Sequence, residues 1–93
     1  MSEALAQHIE DLRSGLENTQ RAEDRPRYTS LLAQAAVVLA KANLRAPKSE
    51  LFAEIDNYER LWGNTWLEHW NPKRPESFEL FKEQVGYPGY PAT

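Results

Sequence analysis

Apolar residues recur at intervals of three and four along nearly the whole chain, and prolines at 26, 47, 72 and 75 cut that rhythm into four pieces. An α-helix completes a turn in about 3.6 residues, so this spacing stacks side chains on one face, whereas a half-buried strand needs strict alternation. No stretch alternates in that way. The chain is therefore expected to be all-α, and what remains is how its helices share a core.

Leu5, Ile9, Leu12 and Leu16 follow at spacings of four, three and four, which makes one stripe on a helix from about residue 2 to about residue 20. Ser2 is suited to cap it, and Glu3 to the positive end of its dipole. Gly15 lies on or beside the stripe, where the missing side chain lets another helix come close, at a propensity cost of about 1 kcal/mol relative to alanine. Asp24 followed by Pro26 reads as the start of a second helix, because first-turn amides have no internal partner to lose. Tyr28, Leu31, Leu32, Ala35, Val38, Leu39 and Ala42 cover a wide arc of it, and Ala36 and Val37 extend that arc, so this helix is expected to be the most buried. Pro47 disfavours helical geometry at Ala46 and stops it.

From Pro47 or Ser49 to Trp70 the helical pattern resumes. At about 100° per residue Leu51, Ile55, Tyr58, Trp62, Trp66 and His69 share one face, with Glu54, Asn57, Arg60, Asn64 and Glu68 opposite. Such a helix spans about 33 Å, longer than a bundle of this size requires, and Gly63 marks a place for it to bend. Asn71-Pro72 ends it, and Pro75-Glu76 opens a short fourth helix carrying Phe78, Phe81 and Val85, with Gly86 as its stop. The expected fold is a small antiparallel bundle of three main helices plus a short fourth over residues 1–86, followed by an extended Tyr/Pro tail over residues 87–93. Its expected core is Leu5, Ile9, Leu12, Leu16, Leu31, Leu32, Ala35, Val38, Leu39, Leu51, Ile55, Tyr58, Trp62, Trp66, Phe78 and Phe81.

Several chemistries are excluded or disfavoured by what these 93 residues contain. Without cysteine there are no disulfides, no thiolate catalysis and no cysteine-based metal site, which fits a reducing compartment. The apolar stretch 33–42 contains Gln34 and Lys41 and falls well short of the roughly 20 residues that span a bilayer. The opening Met1-Ser2-Glu3-Ala4 is acidic where a secretion signal is basic, so the expected location is the cytoplasm, as a soluble protein. Neither His8 nor His69 has a glutamate three positions before it, so the carboxylate-histidine pattern of di-iron bundles is missing; His8 is expected at the surface and His69 beside the tryptophans. The four glycines are too dispersed for a phosphate-binding turn. No cofactor or metal is expected.

Tyr58, Trp62, Trp66 and Trp70 stand at every fourth position, and each step carries the row about 40° around the helix, so one interface does not cover all four. Tyr58 and Trp62 are expected to enter the core against the second helix. Trp66 and Trp70, with Tyr87 and Tyr90 of the tail, are left as a patch for a protein partner, because Trp and Tyr concentrate at binding hot spots and a proline-rich tail is ordered at low entropic cost. The leading reading is a non-catalytic protein-binding role, as accessory subunit, adaptor or inhibitor, in a hetero-complex or a homo-oligomer. The alternative is a small enzyme or ligand-binding bundle using His69 and nearby carboxylates such as Glu54, Asp56, Glu59 and Glu68. A third, a DNA-binding module using Arg21, Arg25 and Arg27, has against it a net charge of −3 and the interleaved Glu23 and Asp24.

Overall fold

The computed structural model describes residues 3–65 and 76–88. They form four helices, α1 (Glu3–Asn18), α2 (Asp24–Asn43), α3 (Lys48–Thr65) and α4 (Glu76–Val85), and among the described residues there is no strand. These bounds follow the proline and glycine punctuation closely. Pro26 sits in the first turn of α2, and Gly86 follows α4 with φ of +77°.

Both α2 and α4 end in the same way. After α4 the Gly86 amide donates to the Glu83 carbonyl (3.2 Å) and the Tyr87 amide to the Lys82 carbonyl (3.0 Å). After α2 the Arg45 amide donates to Ala42 (3.2 Å) and the Ala46 amide to Lys41 (3.1 Å). This paired arrangement satisfies carbonyls that the last helical turn leaves open, and it needs a left-handed residue just past the cap. Gly86 takes that conformation without strain. Arg45 takes it at φ of +55° against the steric preference of an L-residue.

The helices run up and down in turn. Gln34 and Lys41 of α2 meet Glu54 and Glu50 of α3, Asp11 of α1 meets Ser77 of α4, and Lys48 at the start of α3 meets the Val85 carbonyl at the end of α4. Backbones approach closely between α1 and α2, α2 and α3, and α1 and α4. The fourth side, between α3 and α4, is closed by longer side chains: Tyr58 against Phe78, Lys82 against Glu59, and Tyr87 against Phe52.

The core consists of Ala4, Leu5, Leu12, Leu31, Ala35, Val38, Leu51, Ile55, Tyr58, Trp62, Phe78 and Phe81. Ile9, Leu32 and Leu39 are half-buried against it, and Leu16 is half-buried as well, so these four contribute less than their place in the apolar stripes implies. Trp66 lies outside the described residues. Gly15 allows the close approach anticipated for it, since a methyl group there would stand 2.6 Å from the Tyr28 ring of α2. Gly63 is exposed within an α3 that remains helical as far as Thr65.

Two sequence expectations are corrected. His8 is fully buried rather than at the surface. It falls between Leu5 and Leu12 on the same stripe, and its Nε2 shares a 2.5 Å hydrogen bond with the Tyr58 hydroxyl, which replaces the water a buried imidazole gives up. The second correction concerns α2, whose burial is one-sided. Leu31, Ala35 and Val38 face the core, while Ala36 is exposed and Val37 retains 39% of its surface. With α1 and α3 both on its inner side, α2 has nothing over its outer face among the described residues.

Candidate interaction surface

The outer face of α2 is exposed and apolar. Ala33, Ala36, Val37, Ala40 and Leu44 are all exposed, and at about 100° per residue they lie within an arc of about 100°. Pro26, Thr29 and Ser30 continue the arc toward the helix start and are exposed too. From Pro26 to Leu44, about 27 Å of helix, the strip carries no charge. Leu44, at its end, exposes 78% of its surface. An ordinary surface helix puts charged side chains in such a position.

The aromatic residues proposed for partner binding separate into two groups. Trp66, Trp70 and Tyr90 lie outside the described residues, as does His69 of the alternative reading. Tyr87 is half-buried: its ring stands edge-on to Phe52 with centroids 5.7 Å apart, and its hydroxyl donates to Asp56. That residue anchors the first part of the tail to α3.

Tyr58 and Trp62 are inside, as expected, but their ring contacts include His8 of α1, and Tyr58 packs on Phe78 of α4 at 4.6 Å between centroids. Beside them lies Lys82, only 5% exposed. Its Nζ reaches Glu59 Oε1 at 2.6 Å and Glu79 Oε2 at 3.4 Å, and stands 5.3 Å from the Phe78 ring centre. Paired carboxylates and the electron-rich ring faces make burial of this ammonium tolerable. The sequence offered no sign of it, because Glu59 is 23 residues away.

The arginines of the third reading are largely engaged. Arg27 bridges to the buried Asp24 at 3.0 Å and donates to the Glu23 carbonyl at 2.8 Å, while Arg21 reaches Glu23 at 3.0 Å and Asp24 at 3.8 Å. The Glu23 carboxyl is held below its ordinary value by a backbone hydrogen bond first and by Arg21 second. The Glu54 carboxyl is likewise lowered, by the side-chain amides of Asn57 and then Gln34, each 3.0 Å away. The Tyr28 phenol is raised, by burial and then by the nearby Asp24 charge. Of these two carboxylates, Glu54 ties α3 to α2 through Gln34, and Glu23 pairs within the connection that leads into α2.

Where α2 and α4 end and α1 and α3 begin, the bundle opens into a groove of about 1070 Å³. Leu51, Phe81, Val85, Ala42 and Ala46 give it apolar walls, and Lys41, Arg45 and Lys48 line it with positive charge against the single carboxylate of Glu3. Among the described residues no three His, Asp or Glu side chains come together as a metal site, and no helix is long and apolar enough to cross a membrane. No protein-family model, curated protein or solved structure matches the chain.

Proposed function

We propose that this chain is a non-catalytic, protein-binding domain of the cytoplasm, an accessory subunit, adaptor or inhibitor that meets its partner through the outer face of α2. The observation that carries the reading is the uncharged strip from Pro26 to Leu44, exposed along one side of a helix whose other side is already in the core. Water gains nothing from solvating alanine, valine and leucine there, and a partner covering them gains about 25 cal/mol per Å² of apolar surface. The carboxy-terminal aromatics Trp66, Trp70 and Tyr90 are a second part of the proposed contact, while Tyr87 is tied to α3 through Phe52 and Asp56.

Affinity capture from the cells of origin tests this, run with the native chain and with Val37→Glu/Leu44→Glu. Both positions are exposed, so the pair should leave stability within about 0.5 kcal/mol per site while abolishing the capture. A native chain recovered as a free monomer with no enriched protein, or a partner retained by the double variant, would overturn the reading.

A further inference from the structure

We infer that the groove at the end of the bundle takes an acidic, apolar segment of the partner protein, with Arg45 and Lys48 holding its carboxylates. This rests on the protein-binding reading and extends it to a second surface, continuous with the first. Leu44 ends the uncharged strip, and its neighbours Asn43 and Arg45, with Lys41, Ala42 and Ala46, wall the groove.

Charge supplies the first argument. The chain as a whole carries −3, yet the groove gathers three cations against one carboxylate. Among the described residues the Arg45 guanidinium has no carboxylate within bridging distance. Lys48 has none either, since its Nζ donates to the Val85 carbonyl at 2.9 Å and lies 5.8 Å from the Phe52 ring centre. Lys41 reaches Glu50 at 3.5 Å. A local field of this sign in an acidic protein favours and steers an anionic partner.

Shape and strain supply the rest. Ala42, Ala46 and Val85 are half-buried in its walls and keep apolar surface open below the charged rim, with Leu51 and Phe81 closed off behind them, so an occupant that only touched the rim would leave that surface uncovered. A flat acidic membrane meets the rim alone, whereas a peptide with leucine-like and carboxylate side chains meets both. Arg45 stands where a helix end usually places glycine, at φ of +55°, and keeps a long cationic side chain there at the expense of backbone ease. A binding duty gives that placement a reason that the fold does not.

The test uses the full chain and two labelled amphipathic peptides, one of leucine and glutamate and its sister of leucine and lysine, read by fluorescence anisotropy. The acidic peptide should bind, with affinity falling as salt rises, and the lysine peptide should not. Arg45→Gln and Lys48→Gln should each weaken it by about tenfold, while Arg25→Gln, the same charge change at the far end of α2, should leave it unchanged. Arg45→Gly should raise the thermal midpoint and weaken the peptide together. Equal binding of both peptides, no binding of the acidic one, an equal loss from Arg25→Gln, or a lower midpoint for Arg45→Gly would overturn the inference. If the captured partner survives Arg45→Gln and Lys48→Gln but is lost with Val37→Glu/Leu44→Glu, the groove assignment falls and the protein-binding reading stands.

Discussion

Gly15→Ala separates local helix preference from tertiary packing in one substitution. Alanine is favoured over glycine inside a helix by about 1 kcal/mol, so α1 considered alone should gain from the change. The structure opposes it. The added methyl would lie 2.6 Å from Tyr28 Cε1, 2.8 Å from Cζ and 2.9 Å from the hydroxyl oxygen, where ordinary contact begins near 3.4 Å. The ring must therefore retreat by close to an ångström, and overpacking of this kind costs about 1–3 kcal/mol. The net expected effect of Gly15→Ala is a loss of about 0–2 kcal/mol. In a Tyr28→Ala background the obstacle is gone, and the same substitution should stabilise by about 1 kcal/mol. Urea unfolding followed by circular dichroism gives all four corners of the cycle, and the expected coupling is about 1–3 kcal/mol. An alanine that stabilises equally in both backgrounds would refute the claim that α1 and α2 meet through this gap.

Three further outcomes are expected. Glu59→Ala should cost about 1.5–3 kcal/mol by depriving buried Lys82 of its 2.6 Å partner, whereas Lys82→Met should stay within about 1 kcal/mol, because the carboxylates it leaves behind, Glu59 and Glu79, reach water with 26% and 44% of their side chains exposed; equal losses in chemical denaturation would contradict this. Tyr58→Phe should cost about 1–3 kcal/mol by removing the hydroxyl that shares a hydrogen bond with His8, and adding His8→Phe should recover part of that loss, which the same unfolding curves would show. Glu54 has its carboxyl lowered from 4.5 in the folded chain, so its contribution is complete above that value and is lost as pH falls through the lower folded value. Stability measured from pH 6 downward should accordingly decline more steeply for the native chain than for Glu54→Gln, and parallel curves would be the contrary result.

Local rules reached the helices but not their neighbours. Pro26, Pro47 and Gly86 act within a few residues of themselves, so the ends of α2 and α4 and the start of α3 could be read directly. Leu5, Leu31 and Ile55 likewise declare a buried face through spacing alone. His8 does not, because its burial depends on a hydroxyl 50 residues away, and polarity pointed outward. Lys82 is the same case with Glu59. Val37 failed in the opposite sense: its side chain prefers burial, but only the arrangement of α1 and α3 decides whether anything covers it. The aromatic row divided along the same line, with Tyr58 and Trp62 legible from their register with Leu51 and Ile55, and Tyr87 tied to α3 by a phenol contact no periodicity contains.

That asymmetry bears on the binding proposal. A helix covered on one side can carry lysines and glutamates on the other at no cost to packing, and α3 does so with Asp56, Asn57 and Arg60 exposed opposite Ile55 and Tyr58. α2 uses the same freedom differently, placing alanine, valine and leucine where charge would keep copies of the chain apart. Neither propensity nor core packing requires Val37 or Leu44 in those positions, since both are exposed and glutamate or lysine forms helix at least as well. On the proposed reading, a contact beyond the bundle accounts for them. The test already described, with Val37→Glu and Leu44→Glu, therefore discriminates sharply: if the bundle alone explains α2, the charged residues should be neutral in every assay, and if a partner does, stability should hold while binding disappears.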